Sequence, residues 1–168
     1  MATYDQVELI NELVAATSSE ERELCRHIAN FLLELGYTPR KQRVRALSLA
    51  FKSNKTKQTI AKITVSSSAG REVLYSFKFY ACKCLPKKLS DAVRRAIEST
   101  NGQYRCCGCG VCGAKEGDRG YSSTYPEGKD FLRCGAYVVT VPELGMDDLG
   151  DLERVLSEQH GYFLSRLV

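Results

Sequence analysis

Apolar positions near the start of the chain recur at helical spacing. Val7, Ile10, Leu13 and Val14 follow Thr3-x-x-Gln6, a capping-box pattern in which hydroxyl and amide satisfy the free N–H groups of a helix start. Ser18-x-x-Glu21 repeats that pattern. Leu24, Ile28, Phe31, Leu32 and Leu35 then trace one helix face, Gly36 ends it and Pro39 keeps it ended. The period next shortens to two. Leu47, Leu49 and Phe51 alternate with Ala46, Ser48 and Ala50, and a turn follows at Ser53-Asn54-Lys55-Thr56. Ala61, Ile63 and Val65 form a second alternating run, and Ser66-Ser67-Ser68-Ala69-Gly70 a second turn. Val73, Tyr75, Phe77 and Phe79 alternate with Leu74, Ser76, Lys78 and Tyr80. Three such runs joined by short polar turns predict an antiparallel meander with one buried face, its aromatics in the core.

Pro86 predicts the start of a third helix, where its missing N–H costs nothing, with Leu89, Ala92, Val93, Ala96 and Ile97 inward and Asn101-Gly102 at its end. Residues 104–130 show no clear period. Phe131 to Val141 reads as a later strand with Tyr137, Val139 and Val141 on one face. Asp147 is placed to cap a last helix with Leu149, Leu152, Val155, Leu156, Phe163 and Leu167 inward. The expected fold class is α+β: an antiparallel sheet, a three-strand meander plus one later strand, packed by helices. One domain spans 1–168, with N-terminal helices in 1–36 and a Cys-rich insertion at 104–135.

The 168 residues are 43% hydrophobic and 26% charged, which excludes a collagen, a coiled-coil rod and a disordered chain. No apolar run approaches the roughly eighteen residues of a membrane span, and acids stand where a signal peptide needs a basic start, so a soluble cytoplasmic protein is expected. The net charge of +4 conceals segregation. Residues 1–34 hold seven acids and two bases, and residues 143–168 six acids and two bases, leaving +13 in the middle. Between Leu35 and Arg71 there are nine bases and no acid. Arg40, Lys41, Arg43, Arg45, Lys52, Lys55, Lys57 and Lys62 could form a footprint for nucleic acid. Acidic terminal helices packed near a basic sheet would instead neutralise it, and no nucleic-acid motif accompanies the charge.

The most specific chemical signal is cysteine. Cys82, Cys84, Cys106, Cys107, Cys109 and Cys112 fall within 31 residues and Cys134 follows; Cys25, on the second helix, reads as core. Two C-x-x-C-G units overlap, Cys106 to Gly110 and Cys109 to Gly113. Two thiolates two residues apart reach one ion when the chain between them turns tightly, and the following glycine lets backbone N–H groups face sulfur. Zn²⁺ takes four such ligands, and Cys106, Cys109, Cys112 and Cys134 would supply them, with Cys82, Cys84 or Cys107 as substitutes. An iron–sulfur cluster could use the same thiols, although the x3-C-P continuation of a ferredoxin run is missing. A dithiol switch and plain reduced cysteines are the other readings.

Further candidate chemistry is sparse. His27 is expected to be solvated and His160 to be a surface or satisfied histidine. Asp147, Asp148 and Asp151 fit capping and dipole roles. Tyr121, Tyr125 and Glu127 could line a pocket beside the metal loop. No Ser-His-Asp order, HExxH or P-loop is present, and Gly108, Gly110 and Gly113 make no dinucleotide fingerprint. Over residues 20–166 the order of helix, meander ending in LYSFKFYAC (residues 74–82), helix, strand and helix resembles small bacterial α+β domains of the YdhG/YjbR-like kind. That resemblance implies a mixed domain that binds a ligand or partner, transfers no catalytic residue, and does not include the Cys-rich excursion. The expected function is a binding or regulatory module with a structural zinc site, not an enzyme, whose partner is an unspecified protein or small molecule. An iron–sulfur redox or sensor protein and a nucleic-acid binder acting through residues 40–62 are the alternatives.

Overall fold

A computed structural model describes residues 4–66, 72–100, 109, 112, 120–124 and 130–167. Helices α1 (Tyr4–Ala16) and α2 (Arg22–Glu34) open the chain. Ile10, Leu13 and Val14 are buried on α1, while Val7 stays exposed; Leu24, Cys25, Ile28, Ala29 and Leu32 are buried on α2. Thr3 lies outside the described residues. Glu21 precedes α2 without a side-chain cap; its carboxylate instead accepts a hydrogen bond from the Tyr75 phenol at 2.9 Å. Gly36 leaves α2 with φ +84°, a left-handed conformation that glycine adopts without a Cβ clash.

The meander forms with one strand more than its periodicity announced. Strand β1 (Tyr37–Lys41) pairs antiparallel with β2 (Leu47–Ser53), β2 with β3 (Thr59–Val65), and β3 with β4 (Val73–Phe77). Pro39, which in the sequence marks only that α2 has ended, lies inside this strand. An edge strand needs only one row of hydrogen bonds, so it tolerates the missing N–H, and Arg40 and Lys41 protect its open side. The expected single strand from Phe131 to Val141 is two. Strand β5 (Tyr121–Thr124) pairs with β6 (Asp130–Arg133) as a separate hairpin, and β7 (Val139–Val141) joins β4. A turn at Cys134, closed by the Tyr137 N–H on the Cys134 carbonyl at 3.2 Å, separates β6 from β7. The main sheet has the order β1-β2-β3-β4-β7 and is antiparallel throughout.

Period-two alternation sorts the sheet into two faces. Phe51, Ala61, Phe77 and Val139 share one row, and Leu49, Ile63, Tyr75 and Val141 the next; all are buried in the core. Helices α3 (Lys87–Glu98) and α4 (Leu149–Ser165) join α1 and α2 on that apolar side, contributing Leu89, Val93, Ile97, Leu152, Val155, Leu156 and Phe163 to the same cluster. Leu167 lies beyond α4 and is exposed. A single 3-10 turn, Met146–Asp148, leads into α4, and Asp148 rather than Asp147 anchors it. Its carboxylate accepts from the Gly145 N–H at 2.8 Å and pairs with Lys88 at 2.6 Å.

Candidate thiol and amine site

Strand β4 stops at Phe77, and the chain then changes character. The Lys78 N–H still donates to the Ile60 carbonyl at 2.7 Å, but Lys78 and Tyr80, which alternation assigns to solvent, are 4% and 8% exposed. The β5–β6 hairpin and the turn after β6 explain this burial. Tyr121 from β5 is deep in the core, and its hydroxyl accepts the Phe79 N–H at 3.2 Å. Tyr80 packs edge-on against Tyr121, Tyr162 and Phe163.

The Tyr80 ring brings two of the anticipated metal ligands into one neighbourhood. Its hydroxyl donates to the Cys112 carbonyl at 2.7 Å. Its ring edge lies against Gly135; a Cβ there would sit 2.7 Å from the ring, so only glycine allows this approach. Cys112 and Cys134 are both buried. Both bear on the Lys78 amine, which touches the Gln58 side-chain oxygen at 3.4 Å. Burial pushes that amine down to about 8; negative charge on Cys112 or Cys134 acts to raise it, and Lys62 to lower it.

The remaining cysteines divide. Cys82, a substitute ligand by sequence, donates its thiol to the Val155 carbonyl of α4 at 3.1 Å, and burial pushes it up to about 12. It is therefore a protonated packing group. Cys84 and Cys109 are exposed. Cys25 is core, pushed up to about 12 by burial. Cys106 and Cys107 lie outside the described residues, as do Tyr125 and Glu127. Among the described residues no three His, Cys, Asp or Glu side chains are grouped to hold a metal ion. Lys78 and Tyr80 were missed because the alternating pattern LYSFKFY continues past the end of the strand. The signal available was a lone lysine inside an aromatic run.

Beside this neighbourhood runs an open cleft of about 990 Å³, lined in part by Tyr80, Cys82, Lys83, Tyr121 and Tyr162. Both histidines are partnered. His27 contacts Glu153 at 2.7 Å, and His160 meets the Tyr37 hydroxyl at 3.2 Å. No family model matches the chain, and neither does any curated protein or solved structure. No helix among the described residues is long and apolar enough to cross a membrane.

Proposed function

We propose that the protein is a binding or regulatory module whose late cysteine-rich segment is shaped by a structural zinc ion, with Cys112 and Cys134 as two of its thiolate ligands. Lys78 carries this reading. A buried ammonium whose described neighbours are one amide oxygen and two cysteine side chains is a costly arrangement. A closed zinc–thiolate centre bears net negative charge, so the same ammonium facing it is matched. The overlapping C-x-x-C-G units offer Cys106 and Cys109 for the rest of the ligand set; Cys109 is exposed and would have to move in to join Cys112 and Cys134. Zinc bound this way supplies a cross-link and folding energy rather than a reaction.

Elemental analysis of freshly purified, reduced protein tests the proposal. Stoichiometric zinc is expected in the wild type and in Cys82→Ser, whose thiol is already engaged by Val155. Zinc is expected to be lost from Cys112→Ser and Cys134→Ser, with a lower melting temperature. Iron with visible absorption would transfer the same thiols to the iron–sulfur alternative. Absence of both metals refutes the reading.

A further inference from the structure

The sheet has a second face, and its chemistry differs from everything packed on the first. The registers place Arg40, Ala50, Lys62, Ser76 and Thr140 in one row across all five strands. Thr38 and Lys52 lie on one side of that row, and Ser48, Thr64 and Leu74 on the other. Arg40, Lys62, Leu74 and Thr140 are exposed, and Lys52 is half-buried. Ala50 is buried yet stands apart from the core cluster, as expected for a small residue flanked by Arg40 and Lys62. The hydroxyls are ordered: Ser48 bonds Thr64 at 2.7 Å and Ser76 bonds Thr140 at 2.8 Å.

Among the described residues, the helical layer places no acid against the charges of this face. None of the five strands contains an acid. Arg40 donates to the Asn54 amide oxygen at 2.8 Å, a neutral partner. Lys41, of opposite parity on β1, does meet Glu12 of α1 at 2.6 Å, so neutralisation by the acidic helices is confined to that edge. Exposed Arg43 and Arg45 after β1 and Lys57 after β2 add bases at the two ends, and exposed Glu72, just before β4 with the parity of Leu74 and Ser76, is one acid at the Arg43 end. The acids of α1 and α2, such as Glu8 and Glu23, are exposed on the helical layer.

We propose that this outward sheet face is a docking surface for the phosphate backbone of duplex nucleic acid, with Arg40, Lys52 and Lys62 as its central contacts. Arginine, lysine, serine and threonine are the side chains that bind phosphate oxygens. With neighbouring strands about 4.8 Å apart, Arg40 and Lys62 rise from positions roughly 10 Å apart, so together with Lys52 they present a patch of charge rather than a point. A protein partner would need an apolar centre to its interface; among the described strand residues of the face Leu74 is the one exposed large apolar side chain, and Val44 is exposed apart from it in the turn after β1. Single strands are gripped by stacking on aromatic side chains, and this face has none. Duplex phosphate needs neither, and contact with it is independent of base sequence.

The experiment is fluorescence anisotropy of a labelled 30-base-pair duplex of mixed sequence, titrated with full-length protein between 50 and 200 mM KCl. Neutralising three phosphates lowers affinity about 40-fold over that range, from a slope of roughly 0.9 per phosphate. In Lys52→Gln/Lys62→Gln the slope should fall by about 0.9 for each charge removed. A control pair, Lys83→Gln/Lys87→Gln, removes the same net charge elsewhere and should retain wild-type affinity. Far-UV circular dichroism and melting verify that both variants fold. Undetectable binding at 50 mM KCl overturns the proposal, as does equal weakening by both pairs. Capture by phosphatidylserine vesicles without duplex binding, or salt-sensitive self-association without it, also overturns it and gives the face to another occupant. Zinc content has no bearing on any of these outcomes.

Discussion

Replacing Lys78 with methionine should change stability in opposite directions with and without metal. The side chain is 4% exposed, and burial lowers its amine from 10.5 to about 8. At roughly 1.4 kcal/mol per pH unit, this drop means that holding the ammonium in place costs about 3 kcal/mol. Methionine is one atom shorter, keeps most of the apolar stem and removes the charge. In chelator-treated protein Lys78→Met should therefore stabilise by about 3 kcal/mol at pH 7, which raises Tm on the order of 10 °C in a chain of this size. In zinc-loaded protein the substitution removes the cation that faces a negatively charged centre. Leaving such a charge buried and unmatched costs about 3 kcal/mol, so the sign reverses.

Urea melts of both proteins, each with zinc and with chelator, give the four values needed. The pH dependence supplies an internal check. The unfolded amine keeps its proton up to 10.5 and the folded one only to about 8. Across that window the unfolded state binds more protons, so Lys78 makes stability rise with pH. The wild-type-minus-variant difference in chelator should show this rise. A stability change of the same sign with and without zinc would refute the claim that Lys78 balances a metal–thiolate charge.

Three further outcomes follow from particular contacts. Gly120 has φ +130°, and a Cβ there would lie 2.2 Å from the Arg133 carbonyl oxygen, a backbone atom with no room to yield. Gly120→Ala should cost about 3 kcal/mol in a urea melt, and a change below about 0.5 kcal/mol would contradict the pairing of β5 with β6. Asp148→Ala removes the Gly145 cap and a partly exposed pair with Lys88, for about 1–2 kcal/mol at pH 7. Burial pushes the Asp148 carboxyl up, but the Lys88 and Gly145 hydrogen bonds outweigh it and hold the group below 3.8. Its contribution is thus present above that value and lost as pH falls through the folded one, where variant and wild type should converge in acid titrations of stability. Burial, then Lys55, lowers His160 below 6.5, so the unfolded chain takes up a proton first and acidification through 6.5 destabilises the fold. His160→Gln should flatten the loss of stability measured between pH 7.5 and 5.

Much of the fold was legible because two periods state it outright. The stripes Leu24–Ile28–Leu32 and Leu152–Val155–Leu156 could bury only as helices, and Leu49–Phe51 and Ile63–Val65 only as one face of a sheet. What escaped was decided by pairing rather than by pattern. Strand β1 hid behind Pro39 because nothing local reveals that a segment will be an edge. The segment from Phe131 to Val141 hid a turn because the constraint on Gly135 is the Tyr80 ring, more than fifty residues earlier in the chain. Lys78 and Tyr80 went to the wrong side for a related reason. Alternation says which way a side chain points only while the strand lasts; β4 ends at Phe77, and Tyr80 beyond it packs against Tyr121 of β5 and Tyr162 and Phe163 of α4. Of the candidate site, the cysteine pattern named Cys112 and Cys134, but their relation to Lys78 depends on the β5–β6 hairpin and on Tyr80.

The same geometry separates the charges by face. A sheet that buries Phe51, Ile63 and Tyr75 on one face must send the intervening residues to the other, so Arg40, Lys52 and Lys62 point away from the helices. An acidic helix behind such a sheet cannot reach them, because the apolar layer separates the two. Lys41 meets Glu12 only because it has the opposite parity and stands at the edge. Exposed acids of α1 and α2 such as Glu8 and Glu23, and the bases Arg40, Lys52 and Lys62, therefore lie on opposite sides of the apolar layer. A net charge of +4 then understates the field that an approaching polyanion would meet on the sheet side. Long-range attraction and repulsion would act together to turn the sheet face toward phosphate before contact. This orienting effect predicts an association rate that falls with salt more steeply than +4 spread evenly over the surface would require.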